Sequence, residues 1–161
     1  MPEPHRDFEA LSKPELHALA DALRTCEPLT VQRCVDFVVA ETKGLWHGRA
    51  RAMMCRRLKH CAVGRSHRTS LVACITGRLA SGAFSEQFKD QLKLALHLDA
   101  PRTLAVCRDC LASGKPHVRR YAEWVIALHA MHNAALPAGP ASHQEASHAD
   151  HREGHERSRP A

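Results

Sequence analysis

The sequence predicts an all-α protein of about seven helices, and three observations carry that prediction. The apolar residues are helix formers: 25 Ala and 17 Leu stand against nine Val and two Ile, with only seven aromatics in 161 residues. A β-sandwich or barrel would need β-branched and aromatic strands, whereas Ala and Leu pack helices. Apolar residues recur at helical spacing in seven successive segments, and only a few residues of turn chemistry separate each segment from the next.

Residues 1–11 read as a short N-terminal lead. The first helix opens at Ser12 as N-cap, with Glu15 closing a capping box, Pro14 in the first turn and Leu11 and Leu16 placed for a hydrophobic staple. Leu16, Leu19, Ala20 and Leu23 form its stripe, and Glu27-Pro28 breaks it. The second helix is expected from about Thr30 to Lys43, with Val31, Cys34, Val35 and Val38 on one face and Gly44 after its end. The third spans about His47 to Ala62, with the stripe Trp46, Ala50, Met53, Met54, Leu58 and Cys61, and ends at Gly64. The fourth follows Ser66, carries Leu71, Val72, Ile75 and Leu79, and ends near Gly82. The fifth follows Ser85 and turns Phe88, Leu92, Ala95 and Leu96 inward, leaving Glu86, Lys89, Asp90 and Lys93 as surface pairs. Asp99 opens the sixth, with Pro101 in its first turn, Leu104, Cys107 and Leu111 on its stripe and Gly114 at its end. The seventh starts at Pro116, carries Val118, Tyr121, Ala122, Val125 and Leu128, and stops before Pro137.

Short loops imply antiparallel neighbours. Taken two helices apart, the expected starts recur every 31 to 39 residues, the period of a two-helix repeat. Residues 12–136 therefore form one helical domain. Residues 137–161 carry Pro, Gly, Ser, His and charge with no large apolar side chain, the composition of a disordered His-rich tail.

The run from Ser113 to Leu128, Ser-Gly-Lys-Pro-His-Val-Arg-Arg-Tyr-Ala-Glu-Trp-Val-Ile-Ala-Leu, resembles a HEAT-type repeat. There a polar turn leads into a helix that begins Val-Arg, followed by a small residue. A second copy lies at His47-Gly-Arg-Ala-Arg-Ala-Met-Met54, 70 residues earlier, pairing His47 with His117, Arg49 with Arg119 and Ala52 with Ala122. Gly48 stands where the pattern has Val. The resemblance covers residues 13 to about 135 and implies a short HEAT-like α-solenoid with an extended surface for a macromolecular partner. A plain orthogonal bundle is the alternative architecture.

Formal net charge is +6, unevenly spread. Thr42 to Ser85 holds no Asp or Glu but nine Lys and Arg, and Arg outnumbers Lys 17 to 6 over the chain. Segregated positive charge implies an anionic partner, and Arg suits bidentate contacts to carboxylate or phosphate. Helical spacing puts Arg49, Arg56 and Lys59 (or His60) near one outer face, with Arg51 to the side and Arg65 and Arg68 at the next helix start. Arg119 and Arg120 at the start of the last helix oppose the helix dipole and join the expected binding surface. The alternative for all of these is a solvated face neutralised by acids from other helices. Trp46 precedes the basic helix, and Trp124 lies off its helix's apolar stripe, at an end of the stack or in a partner interface.

No phosphate loop, dinucleotide fingerprint, H-E-x-x-H or G-x-S-x-G is present. Cys107 and Cys110 have C-x-x-C spacing, which is half a zinc site with no second pair, and both fall within an apolar helical pattern. His129 and His132, and the tail histidines 143, 148, 151 and 155, could ligate a metal only with further partners. Neither a metal nor a cofactor is expected. Seven cysteines, mostly in apolar patterns, read as buried thiols in a reducing compartment and not as a disulfide framework. With no apolar signal region and no membrane-length apolar run, the expected location is the cytoplasm. The expected function is non-enzymatic: a basic helical surface presented to an acidic protein partner, or alternatively to nucleic acid. An enzyme site assembled from Asp90 or Asp109 with His97 or His117 is the remaining reading.

Overall fold

The computed structural model describes residues 4–136 and residue 139. Among the described residues it is helical throughout, with no strand. Eight α-helices follow in order: α1 Pro4–Glu9, α2 Lys13–Ala22, α3 Pro28–Val39, α4 His47–Leu58, α5 Arg65–Ser81, α6 Lys89–Leu98, α7 Ala100–Cys110 and α8 Pro116–Ala135. Short 3-10 turns at Leu23–Thr25 and Glu86–Phe88 extend α2 and lead into α6.

The extra helix is α1, in the stretch expected to be only a lead. Its Phe8 is buried and meets Phe37 edge-on, with ring centroids 5.4 Å apart. One phenylalanine among polar residues has no period to reveal it; burial against α3 orders the segment. The expected disordered tail, with its four histidines, lies outside the described residues.

The packing divides into two rows. In one, α2 packs on α4, α4 on α6 and α6 on α8; in the other, α3 packs on α5 and α5 on α7. The core fills the space between them, with Leu16, Phe37, Met54, Ile75, Phe88 and Leu92 fully buried.

Local signals placed several helix starts correctly. Ser12 and Glu15 form both bonds of the capping box, and the Asp99 carboxylate accepts from the Arg102 N–H. Several boundaries moved. Pro28 is not a breaker but the first residue of α3, where its missing N–H costs nothing. α3 also stops at Val39, short of Lys43, and α4 stops at Leu58, short of Ala62.

Residues remote in sequence stabilise two helix ends. Arg78 donates to the carbonyls of Val38, Val39 and Ala40, and Arg51 to those of Ala40 and Thr42. Two guanidiniums thus meet the negative end of α3. At the end of α5, Gly82 adopts φ 76°, a left-handed cap, while Lys115 bonds the Ser81 carbonyl and His117 the Gly82 carbonyl. A Cβ on Gly82 would stand 2.9 Å from the His117 ring, so glycine is required there for space as well as conformation.

The cysteines depart from the all-thiol expectation at one pair. Cys26 and Cys61 form a disulfide with a Cα–Cα distance of 5.4 Å. Cys26 follows the turn that ends α2, and Cys61 follows α4, so the packing of these two helices brings them together. Cys34, Cys55, Cys107 and Cys110 are buried free thiols and Cys74 is half-buried.

Candidate functional site

The α2, α4 and α6 helices border a groove of about 630 Å³. Its wall carries Lys13 from α2, Arg49 and Arg56 from α4, and Lys89 and Lys93 from α6, against a single carboxylate among the described residues, Asp90. Trp46, Met53 and the buried Ala52 supply apolar floor. The Lys13 ammonium lies 4.0 Å from the Trp46 ring centroid and the Arg49 guanidinium 5.3 Å from it. On the far side of α6, Lys89 and Lys93 reach the ring of Trp124 at 5.1 and 5.9 Å. Each indole therefore sits under two cations, none of which has a carboxylate partner among the described residues.

The eight residues expected to form one surface separate in the structure. Arg49 and Arg56 line the groove. Lys59 lines the neighbouring depression with Lys93, His97, His129 and His132. Arg65 and Arg68 are exposed on α5, in the other row. Arg51 is only 8% exposed and turns inward to the α3 carbonyls, so it does not belong to an outer face. Arg119 is half-buried and folds back on the Ser113 carbonyl, completing the turn before α8; Arg120 is exposed.

Part of the acid-free segment's charge is neutralised by other elements. Arg56 pairs with Asp90 of α6 at 2.7 Å, and Arg57 with Asp21 of α2 at 2.7 Å. Asp90 was expected to pair within its own helix; α4 packs against α6 and offers Arg56 instead. Both pairs are partly exposed and so stabilise the fold only weakly. Arg49, Lys89 and Lys93 have no carboxylate partner among the described residues.

The sequence reading missed Lys13, Lys89 and Lys93. Their signal was present in part, since all three fall on polar faces of segments expected to be helical. What no periodicity supplied was the neighbour relation of α2, α4 and α6.

Two of the groups named for an enzyme site are engaged elsewhere in the fold. Asp90 is in its ion pair and His117 bonds a backbone carbonyl. Burial raises the thiols of Cys107, to about 12, and Cys110, which marks them as inert core thiols. No cluster of three or more His, Cys, Asp or Glu suited to a metal occurs among the described residues. No helix of the described residues is long and apolar enough to cross a membrane. No protein-family model matches the chain, and comparisons with curated proteins and with solved structures return no match either.

Proposed function

We propose that this protein is a non-enzymatic binding module, a short HEAT-like solenoid that docks an acidic segment of a partner protein in the groove between α2, α4 and α6. The observation that carries the reading is the lining of that groove: five cations, one carboxylate and an apolar floor of Trp46, Met53 and Ala52. A peptide with Asp or Glu beside a large apolar side chain complements both parts. The solenoid reading rests on the two rows of helices and on starts such as Lys13 and His47, 34 residues apart. Docking needs no bond chemistry, only desolvation of the floor and ion pairing at the rim.

Nucleic acid is the competing partner. The Lys13 ammonium over Trp46 favours the acidic peptide, because a stacked base would need that ring face. The test is an anisotropy titration of the full chain against a labelled Glu/Asp-rich peptide with Leu anchors, and against duplex DNA, single-stranded DNA and RNA, across a salt series. The peptide is expected to bind tightest. The Arg49→Glu/Lys93→Glu variant, which alters two exposed residues without disturbing the Arg56–Asp90 pair, is expected to weaken it by about tenfold or more. Unchanged binding by that variant overturns the site. Tighter binding of a nucleic acid, with the steep salt slope of counterion release, overturns the partner class.

A further inference from the structure

A second cavity, of about 460 Å³, shares no lining residue with the groove. It lies where the segment after α3 meets α4, α5 and the start of α6, and Arg51 and Arg78 are both in its wall. The two guanidiniums are close neighbours, since both donate to the Ala40 carbonyl. Burial, and then the Arg78 charge, lower the Arg51 pKa to about 10. Arg51 therefore stays charged at neutral pH.

Buried charges in proteins are normally paired. No ion pair among the described residues reaches Arg51 or Arg78. Their partners are the carbonyls at the end of α3, the Thr42 hydroxyl and the Gln91 side-chain oxygen. The α3 dipole offsets about half of one charge, and the remaining partners are neutral dipoles and not carboxylates. Arg51 Nε is buried and has no acceptor among the described residues. Gln91, largely buried, turns its oxygen to Arg78, which leaves its amide N–H groups as donors in the same wall. Lys43 adds an exposed cation, and among the described residues the only lining carboxylate, Glu41, is exposed and unpaired with either arginine. Phe84 and Phe88, stacked at 4.4 Å, give the cavity an apolar side.

We propose that this cavity binds a small organic anion, its oxyanion head held by Arg51, Lys43 and the Gln91 amide and its apolar body lying on Phe84 and Phe88. The cavity is large enough for a compact ligand with one ring. The site is independent of the peptide groove, and either can stand without the other.

Arginine Nε–H groups give resolved signals in nitrogen–proton correlation spectra, so Arg51 can report directly. The full chain is titrated with benzoate, phenyl phosphate and inorganic phosphate, against sodium chloride at matched ionic strength. Benzoate or phenyl phosphate is expected to give saturable shifts of the Arg51 Nε–H and the Gln91 side-chain amide at about millimolar concentration. Benzoate against phenyl phosphate separates a carboxylate head from a phosphate head, and inorganic phosphate, lacking the apolar body, is expected to bind more weakly. Replacing Arg51 or Arg78 would uncap α3, so the variants are Lys43→Glu and Gly48→Leu. Lys43 is exposed, and a Cβ on Gly48 would come no closer than 3.7 Å to its neighbours, so both are expected to fold. Each is expected to weaken binding by about tenfold or more. Absence of a saturable shift with every probe, an equal shift with chloride, or unchanged binding by both variants overturns the proposal.

Discussion

At the residue scale, the α3–α4 connection turns on His47. Its ring is buried, tilted against Phe37 at 5.3 Å, with Nδ1 on the Thr42 hydroxyl. The Thr42 hydroxyl oxygen also accepts from Arg51, so its own proton is free to be donated to His47. Burial, and then the Arg51 charge, lower the His47 pKa below its ordinary 6.5. The folded protein thus refuses a proton that the unfolded chain accepts, so this contribution is full above about pH 6.5 and shrinks as pH falls below it. The stability difference between the natural chain and His47→Gln is expected to narrow from pH 7.5 to pH 5, read by urea melts; a constant difference would mean that His47 does not carry the effect. Gly44 meets the same ring. A Cβ there would stand 2.3 Å from two His47 ring atoms, and the buried ring has nowhere to go. Gly44→Ala is therefore expected to cost about 1–3 kcal/mol in the same melts. A neutral result would show that the connection can shift as a unit. None of this was legible in the sequence, where Gly44 read as a helix stop and His47 as a first-turn histidine. The contact is short in chain distance, but it depends on how Arg51 and Phe37 enclose the ring.

At the element scale, what was legible is what is local. Ser12 with Glu15, and Asp99 with Pro101, are written in four and three consecutive residues, and both start helices where expected. Ser12→Ala removes the α2 cap and is expected to cost about 1 kcal/mol in a urea melt; no loss would mean the cap is replaced by water. Mid-α5, Gly77 is exposed and a Cβ there meets nothing within 4 Å, so Gly77→Ala is expected to stabilise by about 0.5–1 kcal/mol. A loss instead would mean that this stretch of α5 packs against something. Helix ends were harder to read because their partners are distant: Arg78 lies 40 residues from Val38, and Lys115 34 from Ser81. The candidate groove divides in the same way. Arg49 and Arg56 could be placed on one face of one helix by periodicity, but Arg51, two residues from Arg49, looked like a flank until α3 and α5 were in place to bury it.

At the scale of the whole molecule, several links between elements span a similar length of chain. Arg56 to Asp90 spans 34 residues, His117 to Gly82 35, and the Cys26–Cys61 disulfide 35. In a stacked architecture, links at that spacing would join each helix pair to the next and make stability local. The disulfide tests this. Closing a loop of that length is worth about 2–4 kcal/mol, so Cys61→Ser, or reduction of the natural protein, is expected to lower stability by that amount, and reductant should add nothing to the variant. If reductant leaves the natural protein unchanged, the pair exists as thiols under the conditions used. Where the loss falls decides the architecture. In a stack, amide exchange should quicken in α2 and α4, which the bond ties together, while α7 and α8, joined to the rest through α5 and α6, keep their protection. Exchange that quickens equally from α2 to α8 would mean that the eight helices open as one cooperative unit, and the two rows would then be the layers of an ordinary bundle.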